Sequence, residues 1–224
     1  MVIRKEFNSV LRSFELEEVE EQIGLSFKNC LNHINNGKEE DISIKIQIGF
    51  GKEDRIAAFA DKSRNDDYIV EVNMPSYFII YSFCHCIVLQ EIYHIISYDN
   101  NEKKRGFYAE LLTIIMLDIL LYHEIGHIVN GHIDYIKNKE KKLNITNDLP
   151  YAFSYIGKKA RPFIASEEWQ ALEWNSDDFS ASRIVEKYLS DDTIKTLELH
   201  GPQQAMTLIV SAYTALYNFD GNGR

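Results

Sequence analysis

Residues 107–135 are apolar on nearly every helical face. A surface helix keeps a polar stripe towards solvent, so this segment predicts a helix at the centre of a domain. Its acidic residues Glu110 and Asp118 would be costly in hydrocarbon, and the other apolar stretch, residues 77–89, is too short to span a bilayer. Both segments therefore predict buried helices and no attachment to a membrane.

The composition of the chain indicates a single domain. It has 224 residues, of which 45% are hydrophobic, enough to bury a substantial core. Its formal net charge of -10 disfavours nucleic acid as a partner. Residues 1–7 lack the apolar run of a signal peptide, and the three cysteines show no disulfide framework. We therefore expect a cytoplasmic protein, and the sequence carries no signal for an oligomeric state.

Hydrophobic periodicity predicts a mainly helical α+β domain with a small antiparallel sheet in its N-terminal part. The predicted helices are residues 14–34, 76–97, 107–135, 167–189, 192–199 and 203–219. The predicted strands are residues 41–50, 55–60 and 68–73. Residues 1–136 form the N-terminal helix-and-sheet part of the single domain, and residues 163–224 form its helical C-terminal part. The lysine-rich connection between them is predicted to be a solvated loop, a flap, or a segment with short secondary structure that the pattern does not define.

The pentapeptide His123-Glu124-Ile125-Gly126-His127 lies late in the predicted central helix. At about 100° per residue its two histidines are about 40° apart, so both imidazoles can reach one ion. Glu124 lies on the adjacent flank, where it can take a proton from a water molecule that zinc has acidified. The pattern predicts a zinc site for amide hydrolysis with Glu124 as general base. The alternative is a pair of core or surface histidines with an ion-paired glutamate.

A catalytic zinc ion needs a third protein ligand and an open fourth position. His132 is five residues after His127 and about 140° round the helix, so it cannot join the site without a break. We therefore expect a structural role for His132 near the end of the helix. Carboxylates of the downstream helix are better candidates for the third ligand: Glu168, Glu173 and Asp178.

Glu173 and Asp177 are spaced at i and i+4 on one face of the downstream helix. A Glu-x-x-x-Asp pair after HExxH resembles the gluzincin group of zincin metallopeptidases. The resemblance implies a zincin-like fold and one zinc ion per chain, with Glu173 as the third ligand. It also implies that Asp177 orients a ligating histidine. The implied reaction is hydrolysis of a peptide bond in a protein or peptide substrate.

The longer string from His123 to His132, HEIGHIVNGH, resembles compact bacterial peptidases, including the family of the phage-exclusion peptidase Lit. This resemblance covers residues 107–135 and extends at most to the helix that contains Glu173. It implies a role in phage exclusion or in regulatory proteolysis.

A peptidase also needs a donor that stabilises the oxyanion of the transition state, a contribution of about 2.7–4 kcal/mol for a single group. The candidates for this role are His200, Tyr151 and Tyr155. A peptide substrate could be aligned by pairing with the edge of the small sheet.

Two other interpretations use some of the same residues. Di-iron carboxylate bundles take Glu-x-x-His pairs from two helices. The chain has two such pairs, Glu91 with His94 and Glu124 with His127. The predicted strands interrupt a four-helix pattern, however, and His123 would have no role in such a site. An inactive zincin fold could also serve as a binding module, although the intact Glu124 favours catalysis.

Overall fold

A 25-residue helix, α4 (Arg105–Val129), runs through the middle of the fold. Every residue from 115 to 128 is buried, and the other helices and the sheet pack around it. Burial of each large apolar side chain stabilises the folded state by about 1.5–3 kcal/mol relative to leaving it exposed. The prediction of a buried central helix is thus confirmed for residues 107–129. The structure is a computed structural model that describes residues 16–50, 56–63, 65–90, 92–98, 101–143 and 164–221.

The other elements complete a mainly helical α+β arrangement, which confirms the predicted class. The remaining helices are α1 (Leu16–Asn35), α2 (Met74–Ile87), α3 (Ile92–Ser97), α5 (His132–Lys142), α6 (Ser166–Tyr188), α7 (Asp191–Thr196) and α8 (Pro202–Gly221). The strands are β1 (Ile44–Gly49), β2 (Ala58–Lys62) and β3 (Tyr68–Asn73). A 3-10 turn at Glu102–Lys104 leads into α4.

The apolar segment 76–97 forms two helices instead of the single one predicted. The chain turns at residues 88–90, between α2 and α3. The Arg105 guanidinium donates to the Val88 carbonyl and lies 4.2 Å from the centroid of the Tyr93 ring. These contacts satisfy the end of α2 and hold α3 beside the start of α4.

A second break separates α4 from α5, within the segment that predicts one helix over residues 107–135. Gly131 has a φ of 74°, in the left-handed region that commonly ends a helix. The next helix, α5, starts at His132 and continues to Lys142, into the segment for which the sequence leaves a loop, a flap or short secondary structure open. Because of this break, His132 does not continue α4 but is the first residue of a separate helix.

The small sheet is mixed, so the prediction of an antiparallel sheet is wrong for one of its two pairings. The strand order is β1-β3-β2. The short connection between Ser63 and Asp67 makes β2 and β3 an antiparallel hairpin. By contrast, β1 is parallel to β3, with Ile44 beside Tyr68. Alternation of apolar residues shows which face a strand buries but not the direction of its neighbour, so both arrangements fit the same pattern.

The segment Glu102–Val129 is the one helix in the described part of the chain that is long and apolar enough to cross a membrane. In this fold, 89% of its apolar window is buried by protein. The core helix of a folded domain passes the same test of length and composition. The absence of a membrane partner stays a prediction.

Asp118 is a fully buried carboxylate in the middle of α4. Its Oδ1 accepts a hydrogen bond from Ser26 Oγ at 3.0 Å. Its Oδ2 accepts from Lys187 Nζ and from the Tyr188 hydroxyl, both at 2.6 Å. A buried charge is tolerated only when it is paired and hydrogen-bonded, and this one joins α1, α4 and α6.

Asp118→Ala is expected to lower the free energy of unfolding by about 3–5 kcal/mol, because it leaves an unpaired lysine and buried hydroxyls without an acceptor. Urea denaturation monitored by circular dichroism measures the change. The control is Glu110→Ala on the same helix, where the side chain is exposed and the expected change is within about 0.5 kcal/mol. A loss below about 1 kcal/mol for Asp118→Ala would show that the buried network contributes little.

Candidate metal centre

Two helices bring three potential metal ligands together: His123 and His127 from α4, and Glu173 from α6. The Nε2 atoms of the two histidines are 3.1 Å apart. The Oε2 atom of Glu173 lies 3.3 Å from His123 Nε2 and 3.9 Å from His127 Nε2. Among the described residues, these three form the one group of three or more histidine, cysteine or acidic side chains that could hold an ion.

Small residues allow α6 to approach α4 closely at this point. A Cβ atom at Gly126 would lie 3.1 Å from Phe179 Cδ1, so only glycine leaves room for that ring without a shift. Ser180 is buried, and its hydroxyl donates to the Ile119 carbonyl at 2.9 Å. This close contact between the helices lets the Glu173 carboxylate reach both histidines.

The three donor atoms are close enough to one another to hold a single metal ion. Ligand atoms about 2.0–2.2 Å from a tetrahedral zinc ion lie about 3.3–3.6 Å from one another. The three separations here, 3.1, 3.3 and 3.9 Å, bracket that range. The other oxygen of Glu173, Oε1, is buried without a hydrogen-bond partner among the described residues. Two imidazoles and one carboxylate are also a donor set that catalytic zinc sites use, so zinc is one of the metal ions that this group could hold.

Asp177 holds His123 on the side away from the ligand group. His123 is buried, and its Nδ1 lies 2.8 Å from Asp177 Oδ1. An ionised carboxylate only accepts, so Nδ1 donates, and Nε2 is the ring nitrogen that faces the ligand group and would bind an ion after losing its proton. Burial disfavours the imidazolium, but hydrogen bonds to the Asp177 and Glu173 carboxylates outweigh it and raise the pKa of His123 to about 10. The two carboxylates therefore stabilise positive charge on the His123 ring.

His127 is fully buried and contacts a third histidine. Its Nδ1 lies 2.9 Å from Nδ1 of His132, and Nε2 of His132 lies 3.0 Å from Asn175 Oδ1. Burial lowers the pKa of His127 and the pKa of His132 below the usual value for histidine, so both rings are neutral near pH 7. His132 is not one of the three residues of the ligand group.

Glu124, the predicted general base, is fully buried beside the ligand pair. It follows His123 directly on α4, and its charge contributes to the raised pKa of that histidine. The more exposed side of the group is on α6, where the Glu173 and Asp177 side chains keep 22% and 30% of their surface. The group is thus closed on the α4 side and more open on the α6 side.

The two other carboxylates considered as third ligand are not in the group. Glu168 accepts from Lys139 Nζ at 2.5 and 2.7 Å and from the Tyr135 hydroxyl, both on α5. Asp178 is exposed. Of the three candidates left open by the sequence, the structure brings only Glu173 to the histidines.

His200 is not brought to the ligand group. It is exposed, and its backbone N–H donates to the Gln204 side chain, which in turn donates to the Tyr108 hydroxyl near the start of α4. His123 lies about 22 Å further along that helix. The structure therefore gives no support to His200 as the oxyanion donor. The two other candidates, Tyr151 and Tyr155, lie outside the described residues.

Tyr217 is a neighbour of the group that sequence analysis misses. Its hydroxyl lies 3.3 Å from Asp177 Oδ2, and half of the side chain is exposed. It lies on the C-terminal helix, α8, and no motif includes it, so no pattern in the sequence points to it. The structure places this phenol at the open rim of the group.

The two Glu-x-x-His pairs of the di-iron interpretation are not brought together in the described part of the chain. His94 is exposed and follows Tyr93, whose ring centroid lies 4.2 Å from the Arg105 guanidinium at the start of α4. His127 is in the last turn of α4, at the opposite end of the helix. Glu91 lies outside the described residues. His94 and His127 therefore do not share a site.

Comparisons with known proteins provide no family for this chain. No protein-family model, characterised protein or solved structure matches it. The resemblance to gluzincins and to the Lit family rests on the sequence motifs alone and stays a prediction. A function is therefore inferred from the geometry of the ligand group.

Proposed function

We propose that this chain is a zinc-dependent metallopeptidase with a gluzincin-like zincin fold and one zinc ion per chain. The observation that carries the proposal is the convergence of His123, His127 and Glu173 at the spacing of a four-coordinate ion. The Asp177 carboxylate on His123 supports it, because catalytic zinc sites use such partners to orient a ligand. The intact Glu124 beside the ligands adds the base that hydrolysis needs.

Glu124 is the group that performs the proton transfers in this proposal. A zinc ion would supply Lewis acidity, which polarises a carbonyl and lowers the pKa of water to about 7. Glu124 would accept the proton from water and donate it to the leaving amine. Asp177 would hold His123 in the tautomer that ligates through Nε2. The substrate would enter from the α6 side, where Glu173 and Asp177 are partly exposed.

A peptide substrate is proposed to lie along β2 as an added strand. β2 is an edge strand that packs against α4, and no described strand pairs with its outer side. Backbone pairing would align a scissile bond without reading side chains. A structure with a peptide hydroxamate bound is expected to show backbone hydrogen bonds to residues 58–62. A peptide bound away from β2 would contradict this placement.

The peptidase proposal is tested by N-terminal proteomics of cells that produce the wild-type chain or Glu124→Gln. New protein N-termini are expected only with the wild type, because the variant keeps the ligands and lacks the base. Phage-infected and uninfected cells are both compared, since phage exclusion and regulatory proteolysis in the cytoplasm are the settings that the resemblance implies. Identical N-termini for the two proteins in both conditions would reject the peptidase and favour a binding module.

A further inference from the structure

We propose that His132 is a positioning residue that holds His127 in the tautomer able to bind the metal, and that Asn175 fixes the orientation of His132. The inference rests on the proposed metal centre. It gives a specific role to a histidine for which the sequence predicts only a structural one.

The break between α4 and α5 places the His132 ring against His127. Gly131 adopts the left-handed conformation, and His132 is the first residue of α5. The His132 side chain is buried, and its ring centroid lies 5.1 Å from that of His127 at an interplanar angle of 66°. On a continuous helix the two residues would point about 140° apart. The contact therefore depends on the turn at Gly131.

A chain of two hydrogen bonds assigns the tautomers. The Asn175 side-chain oxygen accepts from His132 Nε2–H at 3.0 Å, which leaves a lone pair on His132 Nδ1. That lone pair accepts from His127 Nδ1–H at 2.9 Å, so His127 keeps its lone pair on Nε2, the atom that faces His123 and Glu173. The reverse order of donors would put hydrogen on His127 Nε2 and block the ion.

The two ligating histidines are thus held by partners of different charge. His123 donates to the Asp177 carboxylate, whereas His127 donates to a neutral imidazole. An imidazole in this place orients the His127 ring without adding a further carboxylate to Glu124, Glu173 and Asp177. The hydrogen bond between His127 and His132 therefore orients a proposed ligand in addition to packing the two helices together.

Zinc affinity of the metal-free full-length protein, measured by competition with a chromophoric chelator, tests the role. His132→Leu and Asn175→Leu are expected to weaken zinc binding by about 10–100-fold, the usual loss for an outer partner of a ligand. Asn175→Asp is expected to stay within about threefold of the wild type, because its carboxylate accepts the same Nε2–H. The control is His85→Leu, which removes a histidine that stacks on Tyr81 in α2 and is expected to leave affinity unchanged.

Nitrogen-15 NMR of the metal-free protein gives a second readout that does not depend on zinc. Hydrogen is expected on Nε2 of His132 and on Nδ1 of His127. Hydrogen on His127 Nε2 would overturn the inference, and so would zinc affinity within about threefold of wild type in His132→Leu. In both cases, zinc binding by the wild type would still support the proposed metal centre, and only the role of His132 would be rejected. A wild type that binds no zinc would overturn the metal centre and the inference together.

Discussion

Glu124→Gln is expected to slow peptide-bond hydrolysis by about 10²–10⁴-fold and to leave zinc affinity unchanged. Glutamine keeps the volume of the buried side chain but has no basic oxygen to accept a proton from water. The ligand group consists of His123, His127 and Glu173, so the substitution removes no ligand. The rate is measured with a peptide that spans a cleavage site identified in cells.

The control for this measurement is Glu110→Gln, on the same helix. Glu110 is exposed and lies about 21 Å along α4 from Glu124, so its replacement is expected to leave the rate unchanged. A rate within tenfold of wild type for Glu124→Gln would mean that another group is the base. Loss of zinc together with activity would instead give Glu124 a role in metal binding.

Glu173→Ala is expected to weaken zinc binding by about 100-fold or more. The substitution removes one of three ligands and its negative charge. Loss of a residue that only hydrogen-bonds to a ligand already lowers metal affinity by about 10–100-fold. Chelator competition and the zinc content of purified protein measure the effect. The wild type is expected to bind one zinc ion per chain.

Glu168→Ala is the matched control, because Glu168 is on the same helix and bonds to Lys139 instead of the ligand group. It is expected to bind zinc as the wild type does. If Glu173→Ala bound zinc within about threefold of the wild type, a third ligand from elsewhere in the chain would be required. Two iron atoms per wild-type chain would favour the di-iron interpretation.

The core of the candidate site could be predicted because its spacing is local. Residues four apart on a helix share a face whatever the rest of the fold does, so His123 and His127 point to the same place. The apolar surroundings of α4 predict burial for the same reason, since a helix without a polar face has to lie inside the protein. Both features follow from positions close together in the chain.

The sequence narrowed the candidates for a third metal ligand to three carboxylates, but it did not select one of them. Glu168, Glu173 and Asp178 are all carboxylates of one helix, and the resemblance to gluzincins alone favoured Glu173. The selection depends on which face of α6 meets α4, and that is decided by the packing of Gly126 against Phe179 and by the engagement of Glu168 with α5. Such contacts join residues far apart in the chain.

His200 is a residue type suited to the chemistry, but the fold places it near the start of α4, far from the histidines at the other end of that helix. Tyr217 and the contact of His132 with His127 appear only in three dimensions. The mixed sheet is similar, because strand direction depends on how the connections pass and not on alternation. Local spacing along the chain was sufficient to predict which segments are helical, that the central helix is buried, and that His123 and His127 share one face. The ligand partners, the strand order and the distance to His200 depend on long-range packing, which no local pattern encodes.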